Sequence, residues 1–341
     1  MPTVWRQLLD DTAAHWQSNE LLGFAEPAIE IGHALAGSAI APRPSLGVIE
    51  ASGADAATFL QSQLSNDILS LANGDSRLAA YCNPKGRMLA LLRVVRHQDG
   101  YLLLLPAALV DTILKRLRMF VLRSKVALTD VSEHWAALGV CGSEAQALLA
   151  EQGLVLPAEP DAGVWLEETA LVRLRGDQPR ALLLAPPQRM AALWAALAPL
   201  PQIGEQVWRL LDIRAGVPEI LPGAAENIIP QMANLDLLGG ISFTKGCYPG
   251  QEIVARMHYL GNLKRRMYRL QIATAEPPQP GTDVRTAEGS LAGEIVMATR
   301  SLDGQSEALA VLQIDRADAP DLQVDGSLAQ ALPVPYLQEE K

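Results

Sequence analysis

The stretch Gly239-Gly240-Ile241-Ser242-Phe243-Thr244-Lys245-Gly246-Cys247-Tyr248-Pro249-Gly250-Gln251-Glu252-Ile253-Val254-Ala255-Arg256 marks the point where a long irregular segment gives way to a helix and then to strands. Upstream, residues 219–243 are interrupted by Pro222, Gly223, Pro230, Gly239 and Gly240. A loop of that length inside a compact chain usually carries function. Downstream, Ile253, Val254, Met257 and Leu260 recur at helical spacing until Gly261 stops them. Pro249 suits the first turn of that helix, which puts Cys247 just before a helix N-terminus, where unpaired N–H groups and the macrodipole favour an anion. Lys245 adds a cation on the same side of an extended backbone. Both favour a thiolate. The residues alone leave two readings of Cys247 open, a reactive sulfur or the small buried apolar side chain that most unpaired cysteines are.

Beyond the basic run Lys264-Arg265-Arg266 the chain reads as strands at 267–272, 291–297 and 308–314, punctuated by Pro277, Pro278, Pro280, Gly281, Gly289 and Gly304. An all-β C-terminal domain is expected. On the N-terminal side, 136–198 alternates strand and helix patterns and reads as an α+β unit. Before it, Leu78–Cys82 and Met88–Val95 flank Asn83-Pro84-Lys85-Gly86, a hairpin whose proline and glycine positions favour a type I turn. Ser52-Gly53-Ala54-Asp55 has capping-box spacing, and Ala56, Phe59, Leu60, Leu64 and Ile68 mark one buried helical face. A second amphipathic helix runs from Leu109 to about Arg123, and Val207 to Ile213 form a third, ended by Gly216-Val217-Pro218. Residues before Leu46 show no clear pattern.

With 341 residues, 49% of them apolar, the chain is long enough for two or three domains. A formal net charge of -10 argues against a surface built to neutralise phosphates, so no direct nucleic-acid binding is expected. The run 264–266 accordingly reads as a solvated edge between domains. No apolar stretch reaches the ~20 residues of a membrane span, and residues 1–17 resemble no targeting signal. Three well-separated cysteines fit a reducing compartment, and cytoplasm is the expected location. No metal, nucleotide or serine-hydrolase template is present, and five scattered histidines offer no ligand spacing, so no metal site is expected.

The run from Pro230-Gln231-Met232-Ala233-Asn234-Leu235 to Lys245–Arg256 closely resembles the signature of the YgfZ family, folate-binding relatives of the glycine-cleavage T-protein, an aminomethyltransferase, and of mitochondrial iron-sulfur assembly factors. Supporting segments are Gly53-Ala54-Asp55, Phe59-Leu60-Gln61-Ser62-Gln63 with Asn66-Asp67, Asn83–Arg87, and Trp208 to Pro218. The resemblance implies an α+β, three-domain ring around a central channel for tetrahydrofolate. Its domains would be 40–130 with 205–263, a ferredoxin-like 131–204, and a β-barrel over 264–341. It implies a role in maintaining iron-sulfur enzymes, such as a tRNA methylthiotransferase met transiently, with tRNA modification affected indirectly. By motif position Cys247 is the functional thiol and Lys245 its electrostatic partner. Trp208, Gln231, Asn234, Tyr248, Gln251, Glu252 and Arg256 are the candidate folate contacts, Trp208 by stacking and Arg256 by pairing with a folate carboxylate or with Glu252. Read without the family, Trp208 is equally a core residue of an amphipathic helix. Two departures stand out. Leu46 occupies a position where the family often has a second tryptophan, and the hairpin Asn83-Pro84-Lys85-Gly86-Arg87-Met88-Leu89 lacks the carboxylate that the T-protein uses, which neither Lys85 nor Arg87 replaces. Glycine-cleavage aminomethyl transfer is therefore not expected. The competing readings are a folate-dependent aminomethyl or methyl transferase, and a thiol hydrolase that would need a histidine such as His258 aimed at Cys247.

Overall fold

Residues 1–42, without periodicity in the sequence, form real elements in the computed structural model, which describes residues 1–17, 20–98 and 100–337. Helix α1 (Thr3–Asp10) buries Trp5 and Leu9, one helical turn apart, and the Trp5 ring meets Trp194 edge-on at 5.5 Å. Strands β1 (His15–Gln17) and β2 (Glu20–Gly23) pair, and α2 (Pro27–Ala36) starts with its proline in the first turn. Strand β3 (Ala39–Pro42) is too short to announce itself. Its partner lies about a hundred residues further on.

Strand β4 (Leu46–Ser52) leads into α3 (Ala56–Gln63), which ends earlier than its apolar spacing suggests, because Leu64 already bridges to Tyr81. The capping box does not form: the Asp55 carboxylate accepts the Lys125 N–H at 2.6 Å instead. Strands β5 (Ser76–Cys82) and β6 (Met88–His97) are the expected hairpin, followed by β7 (Gly100–Pro106), α4 (Ala107–Arg118) and β8 (Ala127–Asp130) in a sheet of order β5-β6-β7-β4-β8. Helix α4 buries Leu109, Val110, Ile113, Leu114 and Leu117, and carries Lys115, Arg116 and Arg118 in its last turn, where the dipole favours cations. It stops at Arg118, short of the expected Arg123. The chain loosens into i→i+3 turns there and Leu122 takes a positive φ. Met119, Phe120 and Leu122 are consequently exposed.

Strand β9 (Ala136–Cys141), α5 (Ser143–Glu151), β10 (Gly163–Leu166), β11 (Thr169–Leu174), β12 (Arg180–Ala185) and α6 (Pro187–Ala196) repeat the pattern in a second sheet of order β10-β11-β12-β9-β3. The N-terminal β3 supplies its edge, pairing Ala39 with Cys141 through Pro42 with Leu138. A proline closing an edge strand removes no ladder donor that the sheet needs. Helix α7 (Glu205–Arg214) follows and ends at Gly216, φ 68°, as expected.

Residues 219–243 hold only a short 3-10 turn, Pro230–Ala233, before α8 (Gln251–Tyr259). The tail is a closed six-stranded barrel made by β13 (Arg265–Ile272), β14 (Asp283–Arg285), β15 (Leu291–Arg300), β16 (Ser306–Gln313), β17 (Gln323–Val324) and β18 (Ser327–Leu332). Strand β13 closes it by pairing with both β16 and β18, which removes free sheet edges. The last four residues of the domain expected over 264–341 lie outside the described residues.

By contact density the chain divides into two compact units, one of Met1–Leu60, Ile68–Arg77 and Leu92–Leu211, the other of Gln61–Asp67, Leu78–Leu91 and Asp212–Lys341. The first has a core around Leu138, Leu171, Leu183 and Trp194, with Trp208 in a neighbouring cluster. In the second, Met88, Ile213, Leu235, Val254 and Met267 form one core cluster, and the barrel interior forms another. No helix among the described residues is long and apolar enough to cross a membrane.

Candidate functional site

Three stretches far apart in sequence meet within the second unit: 61–67, the hairpin turn at 83–87, and 239–256. The first contact is made by small polar side chains. Asn66 Nδ2 donates to the carbonyls of Leu78 and Gly239, both at 2.7 Å. Ser65 Oγ donates to the Gly240 carbonyl at 2.7 Å and accepts from Ala80 N–H at 2.7 Å, while Ser242 N–H reaches the Ser65 carbonyl. Buried backbone polar groups must be paired, and these side chains pair them where no ladder runs.

Lys245 completes the clamp. Its Nζ donates to the carbonyls of Gln61 and Leu64, at the end of α3, where orphan carbonyls and the negative end of the dipole favour a cation. The same ammonium lies 5.0 Å from the centre of the Tyr248 ring. Burial lowers the Lys245 pKa to about 8, against the opposing pull of Asp67. Sequence spacing could not reveal this partner, because the carbonyls lie more than 180 positions upstream.

The second contact joins the two glycine turns. Asn83, Pro84, Lys85 and Gly86 close the β5–β6 hairpin through Gly86 N–H to the Asn83 carbonyl at 2.9 Å, and the Asn83 side chain accepts the Lys85 and Arg87 N–H groups. Residues 248–251 form another turn, with Gln251 N–H on the Tyr248 carbonyl at 3.1 Å and Gly250 at φ 81°, ψ 1°. That is a type II turn with Pro249 in its second position. Pro249 is therefore not a first-turn helix residue: α8 begins at Gln251, and Cys247 stands one β-turn away from its N-terminus. A Cβ on Gly250 would come within 2.6 Å of both the Asn83 carbonyl oxygen and Gly86 Cα. Only glycine allows that backbone approach and that φ together.

Tyr248 is buried, and burial, followed by the nearby Cys82, pushes its phenol pKa up. Gln231 is buried with Nε2 on the Val254 carbonyl at 2.6 Å, so it ties the 3-10 turn to α8. Asn234, fully buried at φ 57°, gives Nδ2 to the Met267 carbonyl at 2.9 Å and fixes the loop to β13. Arg266 makes a two-pronged pair with Asp236 at 3.0 and 2.9 Å, so one member of the basic run is held within the fold. Glu252 and Arg256 are exposed on α8, and no ion pair joins them. His258 stacks on Phe243 with ring centres 3.7 Å apart. Trp208 belongs to the first unit. Its ring is wholly buried, packed on Gly139 and 4.6 Å from the Arg180 guanidinium.

Cys247 differs from all of these. It is exposed, and among the described residues its sulfur makes no hydrogen bond. Cys82 and Cys141 are buried, and burial raises both thiols, Cys82 to about 12. The loop is clamped on one side by Lys245 and on the other by Gly250, and between them it presents one soft nucleophile to solvent. No group of three or more candidate ligands for a metal ion occurs among the described residues.

Residues 28–156 match the GCVT N-terminal domain. The crystal structure of glycine cleavage system aminomethyltransferase T from Bartonella henselae superposes with a TM-score of 0.81 at 17% identity, over 98% of this chain and 97% of that one. The chain is thus a mixed α/β protein with the aminomethyltransferase T fold. Proteins named tRNA-modifying protein YgfZ are similar in sequence as well. The one from Colwellia psychrerythraea is 33% identical over 82% of this chain and 86% of its own, and that from Sodalis glossinidius 35% over 85% and 90%. The Edwardsiella ictaluri protein is 32% identical over 86% and 91%. The chain belongs to the YgfZ family.

Proposed function

We propose that this protein binds tetrahydrofolate or another folate and uses the Cys247 thiol to support assembly or repair of iron-sulfur enzymes, a tRNA methylthiotransferase among them, so that tRNA modification depends on it indirectly. The observation that carries the reading is the exposure of Cys247 in a segment whose other distinctive residues are occupied in holding it. Lys245, Gly250, Gln231 and Asn234 each have a structural partner, whereas the sulfur has none among the described residues. The relatives' name supplies the link to tRNA modification. The aminomethyltransferase fold and the family signature support the folate. Arg256, exposed one helical turn beyond Glu252, is the natural partner for a folate carboxylate, and Gln251 and Glu252 offer polar groups beside it. Tyr248 contributes to that site through the framework it is buried in. Three free thiols suit the cytoplasm. The division into 40–130 with 205–263, 131–204 and 264–341 is part of the same proposal.

Cys247→Ala in a strain lacking the protein is expected to leave tRNA methylthiolation unrestored, while the purified variant keeps its melting temperature and its tetrahydrofolate affinity. Full complementation by that variant would remove the thiol from the mechanism. Mass spectrometry of the folate after incubation with methylamine donors separates this reading from an aminomethyl or methyl transferase, since a binding protein returns its folate unchanged.

A further inference from the structure

The first unit contains a cavity of about 690 Å³, and none of the signature residues lines it. That volume is in the range of small-molecule sites. One wall is aromatic. Trp135 and Trp165 meet edge to face with ring centres 5.7 Å apart, and His97 lies 4.3 Å from Trp165. His97 ends β6, Trp135 immediately precedes β9, and Trp165 lies on β10 with its indole N–H on the Glu167 carbonyl at 2.7 Å. All three rings are only half-buried, so they keep accessible surface that a core aromatic would lose.

The polar lining has one sign. Glu133, Glu167 and Glu168 line the cavity, and no Lys or Arg does among the described residues. Glu133 receives the Met1 amino group at 3.2 Å and Glu167 lies 3.6 Å from Arg189, whereas Glu168 has no cation within ion-pair distance among the described residues. Burial lowers the His97 pKa, outweighing the pull of Glu50, so at neutral pH this ring is uncharged and repels no cation. Indole faces attract cations through their quadrupole, and quaternary ammonium groups are the ligands such walls recognise best. A carboxylate-bearing ligand such as a folate would instead meet uncompensated negative charge.

We propose that this cavity binds a small organic ammonium ion, its alkylated nitrogen against the Trp135–Trp165 wall and its charge opposed by Glu168. The proposal does not depend on the folate reading, since no residue of the Cys247 segment lines the cavity. Calorimetric titration of the full chain with choline, and in parallel with its neutral isostere 3,3-dimethylbutan-1-ol, tests it. Choline is expected to bind roughly 10-fold more tightly than the alcohol, because only the cation gains from ring and carboxylate. Glu168→Gln, a surface change with no side-chain bond to lose among the described residues, is expected to weaken choline about 3- to 10-fold and leave the alcohol unaffected. Trp165→Phe keeps an aromatic ring for folding and is expected to weaken choline as well. Equal affinity for the two probes, no choline binding by the folded protein, or choline binding unmoved by both variants would each overturn the proposal.

Discussion

Cys82 and Cys247 carry the same thiol in the same unit and differ in everything around it. Cys82 ends β5 inside a hydrophobic cluster, 2% exposed, and burial pushes its thiol to about 12. Cys247 is exposed on a loop fastened at Lys245 and Gly250. The two regions touch, since Gly250 packs on the turn that begins one residue after Cys82. What separates a buried, inert sulfur from an available one is therefore the backbone that carries it, and the glycine turns and the lysine clamp maintain the difference.

The largest expected effect is in alkylation. At pH 8 a thiol at about 12 is ionised to about one part in ten thousand, so Cys247 is expected to react with iodoacetamide at least ~100-fold faster than Cys82. Peptide mass spectrometry reads both sites at once, and comparable rates would break the contrast. Next is Gly250→Ala, which adds a left-handed-backbone penalty to a clash with two backbone atoms of the hairpin turn. A loss of about 2–4 kcal/mol in urea unfolding is expected, and a loss below about 1 kcal/mol would mean that the two turns move apart freely.

Lys245→Met removes the donor from the α3 carbonyls and should destabilise by about 1–3 kcal/mol near neutral pH. Its pH profile is more specific. The folded pKa of about 8 lies below the ordinary 10.5, so between these values the unfolded chain binds more protons than the native one. Stability then rises with pH across that window relative to Lys245→Met, and a flat difference between the two unfolding curves would contradict the burial of this ammonium. The smallest effect is expected for Glu252→Gln, exposed and without an ion pair among the described residues, whose melting curve should stay within about 0.5 kcal/mol of wild type. A larger shift would show that the first turn of α8 contributes to the clamp.

Much of the fold was readable locally. The hairpin at Asn83–Gly86 follows from turn chemistry between two apolar runs, and α4 from the spacing of Leu109, Ile113 and Leu117. Three C-terminal strands follow from regular breakers; β14 and β17, three and two residues long, are too short to show a pattern, and β18 (Ser327–Leu332) mixes Ser, Ala and Gln with two leucines and shows no apolar run. The N-terminal 42 residues are opaque locally because β3 finds its ladder partner in β9, about a hundred residues on, and α1 packs through Trp5 on Trp194. At the site, the residue types point to the segment around Cys247, whereas Pro249 reads locally as a helix start and forms a turn in the structure. Proline followed by glycine suits a type II turn as well as a helix start, and the close approach of Gly86 is what requires the turn.

The sequence by itself determined the periodicities, the turn residues and the scarcity of positive charge, because each is set by neighbours within a few positions along the chain. Only the tertiary structure decided that Lys245 grips the end of α3, that Gly250 lies on Gly86, that Trp208 is enclosed over Arg180, and that Trp135 and Trp165 wall a cavity. Those pairings join residues that the chain brings together only on folding, where burial of apolar surface and the pairing of backbone groups choose among partners that local preference leaves equal.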